Sequence, residues 1–419
     1  MYIHTFSSLL ICVLLTLHTS AFPGQPRLYG RNIASFRTRR DAHSGTYQIP
    51  SVVQDGDSKA NFDIRTPTSL LDIETLFSLD APQIDSINGS VFDWWYFDAV
   101  SETNSGDSLV ITFFASSVVA FPFLDANETS VTTAYVWASF ANGTVFAGSV
   151  PATFATVAGV DGSGTNSSGE WHSAGFSWAA LTDNLSKYEV RAPPHLPCGI
   201  HAEETTLKIA PHIGWVSLIP DAMAEADIEI QGSMLKFQGS GYHDKNWSDR
   251  PFLESVQRWY WGHGHIGPYS IAWFSYLAFD DPTNTIYVSS YIARDGELLV
   301  STCDPNLLTV HPTGNPGTTG ARYPPRVGDI PEGFRLEYDL GTEGQLNANV
   351  SIRAIVAGDG ENYMRWTGDL VGEVIPSVGG PQEGRCDPDH KRDANKPIET
   401  QSPSSLTGVA VLEQFILIK

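Results

Sequence analysis

The sequence is short of charge, and of basic residues in particular. Only 17% of its 419 residues are charged, and 47 acidic side chains against 25 basic ones give a net charge of −22. A phosphate backbone or an anionic membrane surface would be repelled by this balance, which argues against nucleic acid and acidic lipid as partners. The apolar run within the first 21 residues is too short to span a membrane stably, and no later segment has the length of a transmembrane helix.

Several signatures of common enzymes are also absent. The sequence has no P-loop, no Gly-x-Gly-x-x-Gly opening a helix, no His-Glu-x-x-His and no Gly-x-Ser-x-Gly elbow. None of the cysteines has Cys-x-x-Cys spacing, so a structural zinc site is not expected. These absences argue against nucleotide-dependent and zinc-protease chemistry.

The amino terminus is typical of a secreted protein. An apolar run at residues 9–17, followed by Thr19-Ser20-Ala21, predicts a signal peptide over residues 1–21. Residues 22–58 are polar and aperiodic and are interpreted as an arm or linker. The pair Arg39-Arg40 is either a pro-segment processing site or part of a flexible basic arm. We therefore expect a location in the secretory pathway, either outside the cell or in a vesicle or vacuole.

Sequons and cysteines agree with that route. Seven Asn-x-Ser/Thr sequons occur. Asn246 is the one expected to carry no glycan, because its neighbours suggest burial. The predicted glycosylation sites are Asn88, Asn127, Asn142, Asn166, Asn184 and Asn349. Beyond the signal peptide, Cys198, Cys303 and Cys386 predict one disulfide and one free thiol, with the pairing left open.

From about residue 60 the pattern is that of an all-β protein. Short runs rich in Val, Ile, Phe, Thr and Tyr alternate with Gly, Asn, Asp and Pro, which indicates a sandwich or barrel. The predicted strands include residues 108–120, 134–140, 187–191, 270–279, 285–293 and 408–418. One short helix is expected at residues 69–79, and irregular segments at 162–169, 312–325 and 377–405. A turn-rich segment at 248–251 predicts a boundary between domains at 59–250 and 251–419.

The first of three aromatic clusters is FDWWYFD at residues 92–98. In a strand, Trp94, Tyr96 and Asp98 share one face, and the residues between them share the other. Aromatic residues on both faces predict a strand that is covered on both sides. An ordinary sandwich strand would explain the pattern equally well.

The second cluster is GYHDKNW at residues 241–247, which brings His, Asp, Lys and Asn together. Adjacent His243 and Asp244 point to opposite faces of a strand, so only a bulge or turn would make them an acid–base pair. A polar turn whose side chains cap backbone groups is the plainer interpretation.

The third cluster is WYWGHGH at residues 259–265. With a period of two, Trp259, Trp261, His263 and His265 line one face and form a plausible pocket wall. The glycines between them would let a backbone or a ligand come close. Two histidines at this spacing could bind a metal, but buried, hydrogen-bonded histidines are the plainer interpretation, because no carboxylate can be matched to them.

Taken in order, the three clusters resemble the superfamily of carotenoid 1,2-hydratases and fungal Diels–Alderases. The Tyr-His-Asp-x-Asn-Trp stretch at residues 242–247 carries most of the likeness. The resemblance implies two β domains, sandwich-like and lipocalin-like, with a ligand pocket between or within them and no cofactor. The secretory character is similar to the hetero-Diels–Alderases of fungal tropolonic sesquiterpenoid biosynthesis. Ser248 stands where bacterial hydratases usually have Gly, which weakens a hydratase assignment.

The resemblance implies a hetero-Diels–Alder cycloaddition between a tropolone-type o-quinone methide, formed by dehydration, and a humulene-type alkene. Apolar terpene and polyketide-derived molecules are thus the expected partners. By residue type, the catalytic candidates are His243, Asp244, His263, His265, Tyr96 and Lys245. The candidates for substrate binding are Trp94, Asp98, Asn246, Trp247, Trp259, Trp261 and Trp273.

Other functions fit the same residues. A hydratase or dehydratase would protonate an isoprenoid alkene, and aromatic faces would stabilise the resulting cation. An intramolecular, decalin-forming Diels–Alderase is a further alternative. A secreted lipocalin-like carrier would need the apolar pocket but neither His243 nor Asp244, and a wall-binding lectin would need a row of exposed tryptophans.

Overall fold

The computed structural model describes residues 46–63, 79–126, 128, 130–158, 167–179, 192, 194–199, 206–314, 322–377 and 405–417. The predicted signal peptide, the dibasic pair, the strand at 187–191 and all but the last residue of the helix at 69–79 lie outside these ranges. So do Asn127, Asn166, Asn184 and Cys386.

The described chain is built of antiparallel strands in three sheets. The four-stranded sheet has the order β1-β6-β7-β8, with β1 Thr46–Pro50, β6 Phe154–Ala158, β7 Ser168–His172 and β8 Phe176–Ala179. In the seven-stranded sheet the order is β5-β4-β3-β2-β11-β10-β9. Its strands are β2 Phe92–Ser101, β3 Ser108–Ser116, β4 Thr132–Ser139, β5 Val145–Pro151, β9 Lys208–Ala210, β10 Ile213–Ile230 and β11 Ser233–Ser248.

The nine-stranded sheet has the order β15-β14-β13-β12-β20-β19-β18-β17-β16. Its strands are β12 Val256–Ile266, β13 Tyr269–Ala278, β14 Ile286–Arg294, β15 Glu297–Thr302, β16 Leu308–Thr313, β17 Gly333–Asp339, β18 Gln345–Gly358, β19 Tyr363–Ile375 and β20 Leu406–Ile416. One helical turn, α1 (Phe252–Ser255), follows β11, and a 3-10 turn spans Gly341–Glu343. No helix in the described ranges is long and apolar enough to cross a membrane. The all-β, two-domain fold class is confirmed.

The seven-stranded sheet lies between the other two, and the alternation of β2 shows why. Trp95 and Phe97 pack into the core shared with the four-stranded sheet. Trp94 and Tyr96 pack into the core shared with the nine-stranded sheet. Successive side chains of a strand point to opposite faces, so an uninterrupted aromatic run requires apolar cover on both sides. The prediction that this strand is covered on both faces is confirmed.

The nine-stranded sheet also has two apolar faces. Trp259 and Trp261 of β12 face the seven-stranded sheet, whereas Tyr260 points into a third core on the far side. The space beside Gly262, which lies between the tryptophans and histidines of β12, is occupied by another side chain of the protein. A Cβ on Gly262 would lie 2.2 Å from the Trp273 ring. At this position the close approach is made by a neighbouring side chain.

Several predicted elements are wrong in detail. Residues 168–169, expected in an irregular segment, begin β7. The strand expected over 108–120 ends at Ser116, because the chain turns at Ser117, whose carbonyl accepts the N–H of Ala120. Residues 241–247 belong to β11 and form no turn. Residues 312–313 are in β16, although Pro312 predicted an irregular segment.

A strap formed by residues 194–199 connects the seven- and nine-stranded sheets. The backbone of His195 pairs with Ser217 of β10, with N···O distances of 2.9 and 3.0 Å. Cys198 forms a disulfide with Cys303, just after β15. The chain passes from one sheet to the other between Ser248 and Val256, through α1.

Candidate active site

A cavity of about 210 Å³ lies between the seven- and nine-stranded sheets. Its walls are mainly aromatic, with a few polar groups among them, which is the usual composition of a small-molecule site. The lining residues are Trp94, Tyr96, Thr112, Phe114, Phe121, Phe123, Leu124, Asp125, Tyr135, Trp137, Ala147, Gly148, Ser149, Asp244, Asn246, Trp261, Gly358, Asp359, Tyr363, Arg365, Glu413 and Phe415.

Strand register places the polar groups of the first wall. Asp244 of β11 is opposite Tyr96 of β2, which is opposite Thr112 of β3. Asn246 is opposite Trp94 in the next row on the same face. Residues two apart on a strand share a face, so these side chains all point toward the nine-stranded sheet.

The second wall is formed by the same rule. Trp261 of β12 is opposite Glu413 of β20, which is opposite Arg365 of β19. Phe415 and Tyr363 form the neighbouring row. A carboxylate and a guanidinium therefore face the row that contains Asp244, across the cavity.

Asp244 is a buried carboxyl in the first wall of this cavity. It is 2% exposed, and its Oδ2 accepts hydrogen bonds from Trp215 Nε1 at 2.8 Å and from Tyr242 Oη at 3.0 Å. Burial raises the pKa of Asp244 to about 7, although both hydrogen bonds act to lower it. A carboxyl group that keeps its proton in part of its population up to neutral pH can serve as a general acid.

Arg365 and Glu413 form a buried ion pair at the opposite wall. Trp259 Nε1 donates to Glu413 Oε1 at 2.9 Å and fixes the carboxylate. Burial acts to lower the pKa of Arg365, but the adjacent Glu413 together with Tyr363 and Tyr96 offsets this and raises it. The guanidinium carbon lies 4.6 Å from the centre of the Tyr96 ring, so the charge also has an aromatic neighbour.

Some buried donors in this cavity have no partner within the described part of the chain. They are Arg365 Nε and Nη1, Asn246 Nδ2 and the Thr112 hydroxyl. A buried polar atom without a hydrogen bond costs free energy, about 1–3 kcal/mol for a neutral group. Oxygen atoms of a bound molecule would satisfy these donors, and this favours a substrate that carries carbonyl or hydroxyl oxygens.

A hydrogen-bonded chain runs from the cavity into the protein. Tyr96 Oη donates to Asp98 Oδ2 at 2.6 Å, and His263 Nε2 lies 2.8 Å from the same oxygen. The His263 ring stacks on Tyr242 at 4.1 Å. His263 and Asp98 are thus placed behind Tyr96 and do not line the cavity.

Comparison with known proteins assigns the family. The Diels-Alderase-like family matches residues 66–307. The chain belongs to the Diels-Alderase-like family. It is 33% identical to the quinolone epoxide rearrangement protein asqO of Emericella nidulans, over 67% of this chain and 79% of that protein. It is 30% identical to the quinolone epoxide rearrangement protein penF of Penicillium thymicola, over 78% and 93%.

A solved structure shares the fold. The crystal structure of CghA with Sch210972 superposes with a TM-score of 0.62 at 14% identity, covering 89% of this chain and 98% of that one. Identity at this level shows the fold alone. The predicted resemblance to the fungal Diels–Alderase superfamily is confirmed.

Three of the predicted site residues lie on the face of the seven-stranded sheet that points away from the cavity. His243 bonds to Asp80, with Nε2 3.1 Å from Oδ1, and Lys245 Nζ lies 2.7 Å from Asp93 Oδ1. Trp247 Nε1 donates to the carbonyl of residue 61. All three alternate with Asp244 and Asn246 along β11, which has no bulge here to turn them around.

Two further candidates are also remote from the cavity. Trp273 packs in the third core, on the far face of the nine-stranded sheet. His265 lies on the predicted face, but its Nδ1 is 2.8 Å from Asp221 Oδ2. The two histidines of β12 thus contact different carboxylates. No group of three or more His, Cys, Asp or Glu side chains in the described residues is arranged to hold a metal.

Of the remaining candidates, Asp244, Tyr96, Trp94, Asn246 and Trp261 line the cavity. Trp259 stands behind Glu413.

Sequence reasoning missed Arg365, Glu413 and Thr112. The signal for two of them is present, since a single charged residue interrupts an apolar strand in YMRWTG at 363–368 and VAVLEQFI at 409–416. A charge at an inward position of a buried strand must be paired, which marks both as partners or ligand contacts.

The described sequons differ in accessibility. Asn142 and Asn349 are exposed, Asn88 is partly buried in a turn, and Asn246 is 4% exposed inside the cavity wall. The burial of Asn246 agrees with the expectation that it carries no glycan.

Proposed function

We propose that this protein is a pericyclase in which Asp244 starts the reaction by donating a proton to an oxygen of an apolar substrate. The observation that carries this proposal is a buried carboxyl, with a pKa of about 7, in the aromatic wall of the cavity between the two sheets. Family membership supports the reaction class.

The substrates we propose are a hydroxymethyl tropolone-type precursor and a humulene-type terpene alkene. Trp94, Phe114 and Trp261 offer apolar faces for the alkene. The unpartnered donors of Asn246 and Arg365 suit the ring oxygens. The walls remove water from both molecules, and this favours their mutual contact.

The first step in this proposal is loss of water. Asp244 gives its proton to the hydroxyl of the hydroxymethyl group, the C–O bond breaks and water leaves. The adjacent ring hydroxyl returns a proton to the Asp244 carboxylate, which leaves a neutral o-quinone methide and restores the acid. Asp244 thus donates one proton and receives one, so it ends the step protonated as it began.

The second step is the cycloaddition. The C=C–C=O unit of the quinone methide adds to the alkene, forming one C–C and one C–O bond with no net proton transfer. Little charge develops, so orientation supplies most of the rate enhancement, worth roughly 7–11 kcal/mol in favourable cases. A hydrogen bond from Arg365 to the quinone oxygen would stabilise the charge that does develop.

A second candidate function uses the same acid. The two relatives at 33% and 30% identity are both named quinolone epoxide rearrangement proteins. Opening an epoxide also begins with proton transfer to a leaving oxygen, which Asp244 could supply before the carbon framework rearranges. The neutral acid fits either reaction, and the substrate distinguishes them.

We further propose that the protein acts in the secretory pathway. The Cys198–Cys303 disulfide supports this, because disulfides persist in oxidising compartments.

The test is to incubate purified protein with each substrate set: hydroxymethyl tropolone with humulene, and a quinolone epoxide. Product rate and stereochemistry are compared with buffer alone. We expect the protein to accelerate one set and to fix a single stereoisomer. A rate and isomer mixture equal to buffer for both sets would exclude both functions.

Asp244→Asn separates catalysis from binding, because the amide keeps the shape of the neutral acid and transfers no proton. We expect product formation to fall about 10²–10⁴-fold, with ligand affinity unchanged by calorimetry. Trp261→Ala is the matched control that removes a wall and should weaken binding itself. Product formation equal to buffer in both the native chain and Asp244→Asn, together with lost binding in Trp261→Ala, would favour a carrier.

A further inference from the structure

The carboxyl of Asp244 has an asymmetric environment. Oδ2 accepts two hydrogen bonds, from Trp215 of β10 and from Tyr242 of β11. Oδ1 receives none from the described residues. Neither donor lines the cavity, whereas Asp244 does. A protonated carboxyl carries its hydrogen on the oxygen that accepts less, so the proton belongs on Oδ1.

Trp215 is held from two sides and has no freedom to leave this position. It is fully buried, and Phe274 contacts it edge-on with ring centres 5.2 Å apart. On the other side, His195 of the strap meets it edge-on at 5.1 Å. The indole reaches Asp244 as a diagonal neighbour, since Trp215 itself is opposite Asn246.

His195 is in turn fixed by the nine-stranded sheet. Its Nδ1 lies 3.0 Å from Ser301 Oγ and its Nε2 lies 2.7 Å from Ser289 Oγ. Burial lowers the pKa of His195 to about 3, so the ring stays neutral at working pH. The disulfide at Cys198 anchors the same strap. A contact chain therefore extends from the strap through Trp215 to Asp244.

We propose that Trp215, clamped between His195 and Phe274, is a positioning residue that keeps the proton of Asp244 on the oxygen facing the cavity. This inference rests on the proposed role of Asp244 as the acid. The strap, although it does not line the cavity, thereby becomes part of the catalytic apparatus. The charged and titratable groups around Asp244 are Tyr242 on its own strand, Tyr96 of β2, Arg365 of β19 and Glu413 of β20, together with the adjacent His243 on the opposite face of the sheet.

Trp215→Phe removes the N–H and keeps an aromatic ring. A hydrogen bond to a carboxylate favours the charged form, so its loss should raise the pKa of Asp244 by about one unit. The upper limb of the pH–rate profile should move to higher pH by the same amount. At pH values below that limb, kcat of Trp215→Phe should be about tenfold or more lower than that of the native chain, because the carboxyl can rotate and misplace its proton. The KM should stay within about twofold of the native value.

Phe274→Leu is the matched control, since it disturbs the packing of Trp215 but removes no hydrogen bond to Asp244. We expect this variant to lower thermal stability and leave the pH limb in place. If both variants shift the limb equally, or if Trp215→Phe keeps the normal profile and kcat, the positioning role is refuted.

A measurement on the unaltered protein avoids any folding defect of the variants. With ¹⁵N-labelled tryptophan, the chain gives eleven indole signals. We expect one of them to titrate with the pKa of Asp244 and to stop doing so in Asp244→Asn. No such signal would overturn the inference and leave the acid role intact, whereas full activity of Asp244→Asn would remove the proposed function itself.

Discussion

Burial of Asp244 links its protonation to the stability of the fold. Its pKa is about 7 in the folded chain against an ordinary value of 3.8, so the folded state binds more protons between these limits. Its contribution to the free energy of unfolding is therefore complete below pH 4 and is lost as pH rises to about 7, by roughly 4 kcal/mol.

This can be measured as the difference in urea-unfolding free energy between the native chain and Asp244→Asn. The native chain should lose stability relative to the variant from pH 4 to pH 7, with no further change above pH 8. A difference that stays constant across this range would mean that Asp244 is ionised in the folded protein.

Glu413 tests the electrostatics of the opposite wall. Glu413→Gln leaves the Arg365 guanidinium buried without a counter-charge, and breaking such a pair costs about 3–5 kcal/mol. The unfolding free energy should fall by that amount. Glu337→Gln is the control, because the Arg335–Glu337 pair lies at the surface, with Arg335 exposed and Glu337 half-buried, and should contribute under about 1 kcal/mol. Equal effects at the two sites would contradict the assignment of a buried pair.

At the residue scale, part of the site could be predicted because its members are adjacent in sequence. Alternation places Trp94 with Tyr96, and Asp244 with Asn246, on one face without any structure. Which face encloses a cavity depends on what packs there, so His243 and Lys245 could not be rejected. Arg365 comes from a distant strand that carries no motif.

The β12–β13 pair shows how tightly the elements constrain each other. A Cβ at Gly262 would lie 2.2 Å from the buried Trp273 ring, which has no space to move. Gly262→Ala should therefore cost about 1–3 kcal/mol or more in unfolding free energy. At Gly89 the nearest atom would be 3.8 Å away, so Gly89→Ala should stay within about 0.5 kcal/mol. A neutral Gly262→Ala would show that the Trp273 ring is not packed as described.

At the element scale, the composition predicts where the strands lie. It does not predict which sheet each strand joins. The runs at 270–279 and 285–293 closely match β13 and β14. The pairing of β12 with β20 joins segments about 150 residues apart, and no local pattern specifies it. The pocket wall depends on this long-range register.

The disulfide closes a loop across the two large sheets. Cys198 and Cys303 are separated by 105 residues. Replacing both with serine should lower the free energy of unfolding by about 2–5 kcal/mol, because the cross-link restricts the unfolded chain. The comparison is chemical denaturation of the variant and the oxidised native chain. A variant as stable as the native chain would show that the disulfide contributes nothing to the stability of the fold.

The described part of the molecule consists of three stacked sheets, with the proposed active site at one of the two interfaces. The four-stranded sheet covers the contacts of His243 with Asp80 and of Lys245 with Asp93, and the nine-stranded sheet covers Asp244. One strand, β11, thus carries a structural set of polar groups on one face and the polar groups of the proposed active site on the other. This division explains why the densest polar motif contributes only alternate residues to the site.

The most direct test is the pH dependence of single-turnover product formation in the native chain and in Asp244→Asn. A required neutral acid predicts a rate that is constant below about pH 7 and falls about tenfold per unit above it. Asp244→Asn should be slow and independent of pH. A native rate that is flat from pH 5 to 9, or a variant that matches it, would contradict proton donation by Asp244.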